Sequence, residues 1–369
     1  MKYLRNKTIL IISPEAWSQL HVSKHHYAKH LTSHNTVYFL NPPSDRFKIT
    51  SSEEKGLYVI DNSSLRGVHY LPPFLSQYIT AWEISQLEKK LSTKFHIIWS
   101  FDPSRLFNLK RLKQKLRIAH LVDLNQTYER NILLKTADLG LTVTNSISKK
   151  LSTNKLIVHN IGHACAQHIS TSSSPDPKKL PGVNKVKAIY IGNLIRDAVD
   201  WEVLYQTAKK YQEVDFIYFG SDEREIKKLN ENKDFHYLWE CYQLTNTHFP
   251  GRIVANQIPQ TLLLSNIQLI AFKTSFHKEQ TNSHKILEYM QSGRVTVATY
   301  TEDFDGNDEL MVMSEHNHEY VSLFNKVLTS LDQFNSDGRM AKRKKLAQEN
   351  SYEKKIELID HLIASHVKK

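Results

Sequence analysis

Residues 186–204 read VKAIYIGNLIRDAVDWEVL. An apolar, β-branched run stops at Gly192, a polar stretch follows, and from Asp200 the apolar residues recur every three or four positions. The pattern is a buried strand, a glycine turn and an amphipathic helix. A strand that leads into a helix belongs to a parallel sheet, because parallel neighbours need a crossover rather than a hairpin. Such a turn also leaves backbone N–H groups and a helix N-terminus free to meet a phosphate. An ordinary strand-to-helix turn has the same letters, so the stretch decides the fold before it decides a ligand.

The alternation continues in both directions. Ahead of it, TILIIS (8–13), TVYFL (36–40), FHIIWSF (95–101), IAHLV (118–122), LGLTVT (139–144) and KLIVH (155–159) read as strands. Residues 23–33, 78–92, 104–116 and 128–137 space their apolar side chains as helices do. Behind it, VDFIYFG (214–220), NIQLIAF (266–272) and VTVATY (295–300) are strands, with helices near 200–211, 223–231, 259–264, 283–292 and 320–331. Residues 169–187 collect Ser, Pro and Lys without periodicity, the composition of a solvated connector.

The expected fold class is therefore α/β, with two Rossmann-like α/β/α domains facing across a cleft. The first spans 1–168, a linker 169–187, and the second 188–350. A helix over 351–369 has Ile356, Ile359 and Ile363 on one side and must pack against something. In open α/β sheets ligands sit beyond the carboxyl ends of the strands.

A chain of 369 residues has room for two cores at about 150 residues each. With 40% hydrophobic and 24% charged residues it is an ordinary water-soluble composition. No apolar run approaches the length of a membrane span, and the opening MKYLRNKTILIISPEAW meets Pro14 and Glu15 too soon for a secretory signal. Two cysteines without a CxxC pair support neither a disulfide framework nor a thiolate zinc site, so a reducing cytoplasm fits. The formal charge of +11 favours an anionic partner: a phosphorylated small molecule, a membrane face or nucleic acid. Scattered basic residues and the lack of zinc or RNP-like motifs argue against nucleic acid.

Residues 281–300, TNSHKILEYMQSGRVTVATY, add a helix stopped at Gly293 and a β-branched strand. His284, Lys285 and Glu288 share one helical face, while Ile286, Tyr289 and Met290 lie on the buried side. A carboxylate there could hold a ribose diol; the plainer alternative is a surface Lys285–Glu288 ion pair worth a few tenths of a kcal/mol. Arg252 follows Gly251 in a turn. Asp123 follows the strand IAHLV, where it could orient or deprotonate an acceptor hydroxyl, or cap a helix. His25 and His26 adjoin at a helix start and point to different faces. Asp303-Phe304-Asp305 has the letters of a divalent-metal site but lies in a polar loop where acidic turn residues are common, so no metal role is assigned. Residues 104–117 combine Leu and Phe with Lys and Arg, suiting a helix that packs on the sheet or rests on an anionic leaflet.

Taken in order, these stretches resemble the donor half of GT-B glycosyltransferases, particularly bacterial enzymes of the family-four, group 1 type. There a strand ending in G-N/R-L, a GR turn before P-x-L-L-x-x-x-D-L, and N-x-x-K-x-x-E-Y-M/L-x-x-G-x-P-V-V-A recur at similar spacing. Here they stand as Gly192-Asn193-Leu194, Gly251-Arg252 ahead of residues 259–269, and Asn282 to Gly293. ILIISPEAW, residues 118–151 and the closing NSYEKKIELIDHLI are similar to other parts of the same group, whose C-terminal helix crosses back to the first domain. The chain departs from the pattern at Gln280, where the family's E-x7-E pair would begin, at Asn193 in an Arg place, and at residues 160–164 in place of P-N-G-V-D.

The resemblance implies a hexosyltransferase-type glycosyltransferase in surface polysaccharide assembly. It would move a sugar from a nucleoside-diphosphate sugar to a glycan or lipid-linked hydroxyl, with retained configuration and no cofactor or metal. Gly192, Asn193, Arg252, Ser283, His284, Lys285 and Glu288 are the expected donor-binding residues; Asp123, His25 and Arg196 are the expected catalytic ones. A cytoplasmic protein with peripheral contact to an anionic membrane would account for the charge. The alternatives are a catalytically silent partner of the same architecture and a nucleotide-sugar epimerase.

Overall fold

A computed structural model describes residues 1–19, 21–122, 130–153, 157–166, 180–254, 257–276 and 284–367. The chain divides into two compact units: Met1–Ala164 with Ser351–Lys369, and Cys165–Asn350. Most of the expected connector, 169–187, lies outside the described residues, as do Asp123, Gln280 and Ser283.

The first unit is built on eight strands: β1 (Thr8–Ile12), β2 (Thr36–Leu40), β3 (Lys48–Ser51), β4 (Leu57–Asp61), β5 (Ile97–Ser100), β6 (Leu116–Leu121), β7 (Leu139–Thr142) and β8 (Val158–Asn160). Their order is β3-β4-β2-β1-β5-β6-β7-β8, parallel except for β3 against β4. Residues 9–12 of β1 are fully buried, as expected of an apolar run with neighbours on both faces. The sequence does not announce β3, whose residues KITS are all exposed and carry no pattern.

Residues 104–117 do not form the expected helix. Residues 104–115 make turns and irregular backbone, with Leu106 in the left-handed region at φ 51°, and 116–117 open β6. The Leu109 N–H is diverted from helical bonding to the Thr136 hydroxyl at 3.0 Å, and the Asn108 side-chain amide anchors the segment by donating to the Pro73 carbonyl at 2.7 Å. Leu106, Phe107, Leu109 and Leu112 are nevertheless buried in this unit's core, while Lys110, Arg111 and Lys113 remain exposed. The segment is thus tied down by its apolar residues without an amphipathic helix.

The C-terminal helix Tyr352–Val367 packs on the helix Ser23–Leu31 of the same unit. Its Asp360 carboxylate accepts the backbone N–H groups of Lys2, Tyr3 and Leu4, each at 2.7 Å. The Tyr352 ring stacks on both His26 and His30, and His30 pairs with Glu353 at 2.8 Å.

The second unit has six parallel strands: β9 (Val186–Ile191), β10 (Val214–Phe219), β11 (Thr247–Gly251), β12 (Ile267–Ile270), β13 (Val295–Thr299) and β14 (Val312–Ser314). The order β11-β10-β9-β12-β13-β14 reverses direction between β9 and β12. A helix Asp337–Glu349 goes unread in the sequence because it is polar nearly all round; its buried residues are Arg343 and Ala347. Arg343 is held by carbonyls of Gly293, Leu310 and Phe334 at 2.9–3.0 Å.

Candidate functional site

The reversal between β9 and β12 places the carboxyl end of β9 where an open α/β sheet binds ligands. Gly192 stands there. Its N–H donates to the Phe219 carbonyl at 2.9 Å, and a Cβ on the adjacent Gly220, at φ 149°, would lie 1.7 Å from the Gly192 oxygen. Two strand ends meet this closely because Gly220 has no side chain. Beyond Gly192 the Asn193 side-chain Oδ1 accepts the Ile195 N–H at 3.1 Å, shaping the turn. Asp197 then pairs with Lys273 at 2.7 Å, and the Asp200 N–H bonds the Ala271 carbonyl at 3.1 Å. The loop is thereby stitched to the end of β12.

The helix His284–Met290 brings Lys285 to the same point. The ammonium lies 3.4 Å from the Tyr190 hydroxyl and 4.8 Å from the centre of its ring. A Cβ built on Gly192 would stand 2.1 Å from that Nζ, so the space left by the missing side chain is where the cation sits. Glu288, one turn further along, makes no ion pair with Lys285 and has no hydrogen-bond partner among the described residues. The plain surface-pair reading of these two residues therefore fails: Lys285 turns to the strand end instead. Burial pushes the Glu288 carboxyl up to about 7, against the smaller opposing pull of Lys285.

Arg196 is exposed, and its side chain has no polar partner among the described residues. Arg252, two strands away at the end of β11, is exposed and committed to Glu225 at 2.8 Å, a residue that also closes the capping box of the helix Glu223–Lys227. The structure does not bring Arg252 to Lys285. His284 begins its helix. Sequence reading missed Tyr190, which faces the Lys285 ammonium, and Gly220; it placed Tyr289 on the buried side of the helix without showing its bond to the Ile191 N–H. The signal was there for Gly220: IYIG at 189–192 is repeated as IYFG at 217–220.

In the first unit His25 is fully buried. Its Nδ1 accepts the Val22 N–H at 3.1 Å, which fixes the proton on Nε2, 3.2 Å from the Ala16 carbonyl. Burial holds the imidazole down to about 4. With both nitrogens on backbone, His25 shapes the loop after β1 and has no nitrogen left for an acceptor hydroxyl. That loop borders a cavity of about 720 Å³ lined by Trp17, His21, Asn41 and Asp61 among others. Asn41 accepts the Trp17 N–H at 2.8 Å and donates to Asp61 at 2.8 Å, so the polar wall is preorganised.

Among the described residues no group of three His, Cys, Asp or Glu side chains could hold a metal ion, and no helix is long and apolar enough to cross a membrane.

No family model and no curated protein sequence matches the chain. Solved structures do. The sucrose-phosphate synthase of Thermosynechococcus elongatus aligns over 98% of this chain and 99% of its own at 12% identity and a TM-score of 0.68. A glycosyltransferase of Rickettsia africae covers 99% of both chains at 14% identity and a TM-score of 0.69. HepE of Anabaena, solved in complex with UDP and glucose, covers 98% of this chain and 100% of its own at 13% identity and a TM-score of 0.66. The chain has the fold of the GT-B glycosyltransferases, with two Rossmann-like units.

Proposed function

We propose that the chain is a glycosyltransferase that takes a sugar from a nucleoside-diphosphate donor and passes it to a hydroxyl. The observation that carries this reading is the Lys285 ammonium seated against Gly192 at the carboxyl end of β9. A fixed cation beside an open backbone turn, at the strand reversal of an α/β sheet, is suited to a diphosphate. The solved structures of the same fold support it, one of them holding UDP and glucose.

As the bond from sugar to diphosphate breaks, negative charge grows on the leaving oxygens. Lys285 and the backbone N–H groups after Gly192 neutralise it without having to reorganise. Glu288, on the same helix face, would accept the two hydroxyls of the donor ribose. Binding that diol favours the ionised carboxylate, so the donor draws the proton off a group otherwise half protonated near neutral pH. Arg196, exposed on the same loop, is a second cation for the diphosphate. The Trp17 cavity of the first unit, an aromatic wall beside paired amide and carboxylate groups, is suited by itself to a sugar ring. We assign the acceptor to a glycan or lipid-linked intermediate of surface polysaccharide assembly, and the transfer to a retaining, metal-independent course.

The test is a panel of nucleoside-diphosphate sugars scored for release of the nucleoside diphosphate, with a chelator control. Activity on at least one donor, unchanged by chelation, is the expected result. Lys285→Met should lower donor affinity roughly 10- to 100-fold, the range for a charge-assisted contact. Unaltered donor binding in that variant would remove the reading, and binding without turnover on any acceptor would mark a silent member of the fold.

A further inference from the structure

The first unit exposes an apolar face that its fold does not use. Tyr70, Leu71, Pro72, Pro73, Phe74 and Leu75 are six consecutive exposed residues leading into the helix Pro73–Lys90. The face continues along that helix at a spacing of four, through Tyr78 and Trp82. Tyr70 is 84% exposed, Phe74 61%, Tyr78 53% and Trp82 54%. A run of exposed large apolar residues this long marks an interaction surface.

The charges around it identify the partner. Between residues 62 and 117 the acidic residues are Glu83, Glu88 and Asp102, and all three are buried. Glu83 accepts the Leu65 N–H and Ser64 hydroxyl, Glu88 takes Lys94 and Lys115, and Asp102 faces Arg105. In the same stretch Arg66, Lys89, Lys90, Lys94, Lys110, Arg111 and Lys113 are exposed. Arg111 lies over the Tyr78 ring at 4.1 Å, joining the cations to the aromatic face. The segment 104–117 has thus turned Leu106, Phe107, Leu109 and Leu112 into the core and Lys110, Arg111 and Lys113 out to solvent.

We infer that this face docks the protein on an anionic lipid leaflet. Exposed Trp, Tyr and Phe suit the interfacial zone of a bilayer, where an apolar body and a polar tip are both satisfied. The exposed cations of this stretch meet the negative headgroups, each one near the surface adding its share of attraction. A protein partner would need acidic groups matching these cations, whereas a leaflet of anionic lipid presents them everywhere. The inference does not depend on the donor site, since docking is measured without nucleotide.

The experiment is co-sedimentation of the full chain with vesicles of phosphatidylcholine alone and of phosphatidylcholine with about one third phosphatidylglycerol. Binding to the anionic vesicles that weakens with salt, with little to the neutral ones, is expected. The triple variant Phe74→Ser, Tyr78→Ser, Trp82→Ser and the triple variant Lys110→Glu, Arg111→Glu, Lys113→Glu should each lose more than about tenfold in vesicle affinity. All six positions are exposed, and an unchanged thermal transition checks the fold. Failure to bind anionic vesicles, or retention of binding by both variants, overturns the inference. So does dimerisation of the parent chain in sedimentation velocity that the aromatic variant abolishes, which assigns the face to a second copy.

Discussion

The buried hydroxyl of Tyr289 accepts the backbone N–H of Ile191 at 2.8 Å, tying the helix that carries Lys285 and Glu288 to the residue just before Gly192. Without that bond the N–H of a fully buried strand end would lack its partner, and the helix would lose its fixed distance from the glycine turn.

Tyr289→Phe should therefore cost about 1–3 kcal/mol in urea unfolding, the penalty of an unsatisfied buried donor. As a positioning residue, its loss should also weaken nucleoside-diphosphate binding severalfold, read by calorimetry. A destabilised variant with intact affinity would show that Lys285 is held by other means.

Glu288 makes a prediction about pH. Its carboxyl is pushed up to about 7 from 4.5, so between those values the folded chain holds a proton that the unfolded chain has released. Stability then falls as pH rises through that window, and the full cost is present above it. Glu288→Gln should leave stability near pH 4 almost unchanged and raise it near pH 8 by on the order of 1–3 kcal/mol. The same variant should bind the donor more weakly. Equal thermal shifts at both pH values would contradict the buried-carboxyl account.

His120 works in the opposite sense. It is fully buried among Tyr27, Trp99 and Phe101, neither ring nitrogen has a hydrogen-bond partner among the described residues, and burial holds it down to about 3. The unfolded chain takes up a proton near 6.5 that the folded chain refuses, so stability is lost as pH drops from 6.5 towards 3. The stability of His120→Phe relative to the parent should improve by about 2 kcal/mol between about pH 8 and about pH 5. Parallel pH profiles for the two proteins would rule this out.

Asp360 gathers three N–H groups of the first residues on one carboxylate. Asp360→Ala should destabilise the first unit by on the order of 3 kcal/mol and speed hydrogen exchange along Tyr352–Val367. Unchanged exchange in that helix would mean that the His26, Tyr352 and His30 stack holds it alone.

The parallel sheets were legible because their central strands are buried on both faces and read as plain apolar runs, from TILII in β1 to VTVAT in β13. β3 and the helix Asp337–Glu349 were not, since each shows water nearly its whole surface and so carries no period. At 104–117 the period was present and misled: Leu106, Leu109 and Leu112 are buried, but the Leu109 N–H goes to the hydroxyl of distant Thr136 and Leu106 takes the left-handed region, so a helix is not made. In the candidate site, Gly192, Lys285 and Glu288 are placed by a strand end and a helical spacing, both of which can be read from the sequence. That Arg252 is taken by Glu225, and His25 by two backbone groups, depends on contacts no local pattern encodes.

The helix that completes the first unit reaches back across 356 positions to Leu4. A ribosome working at roughly 5–20 residues per second releases all of the second unit before that helix exists. The nascent first unit therefore waits for tens of seconds with the seat for its closing helix uncovered, while its neighbour is free to fold. A holding chaperone would find its substrate in this half, and a premature stop near residue 350 should harm the part of the protein made first more than the part made last.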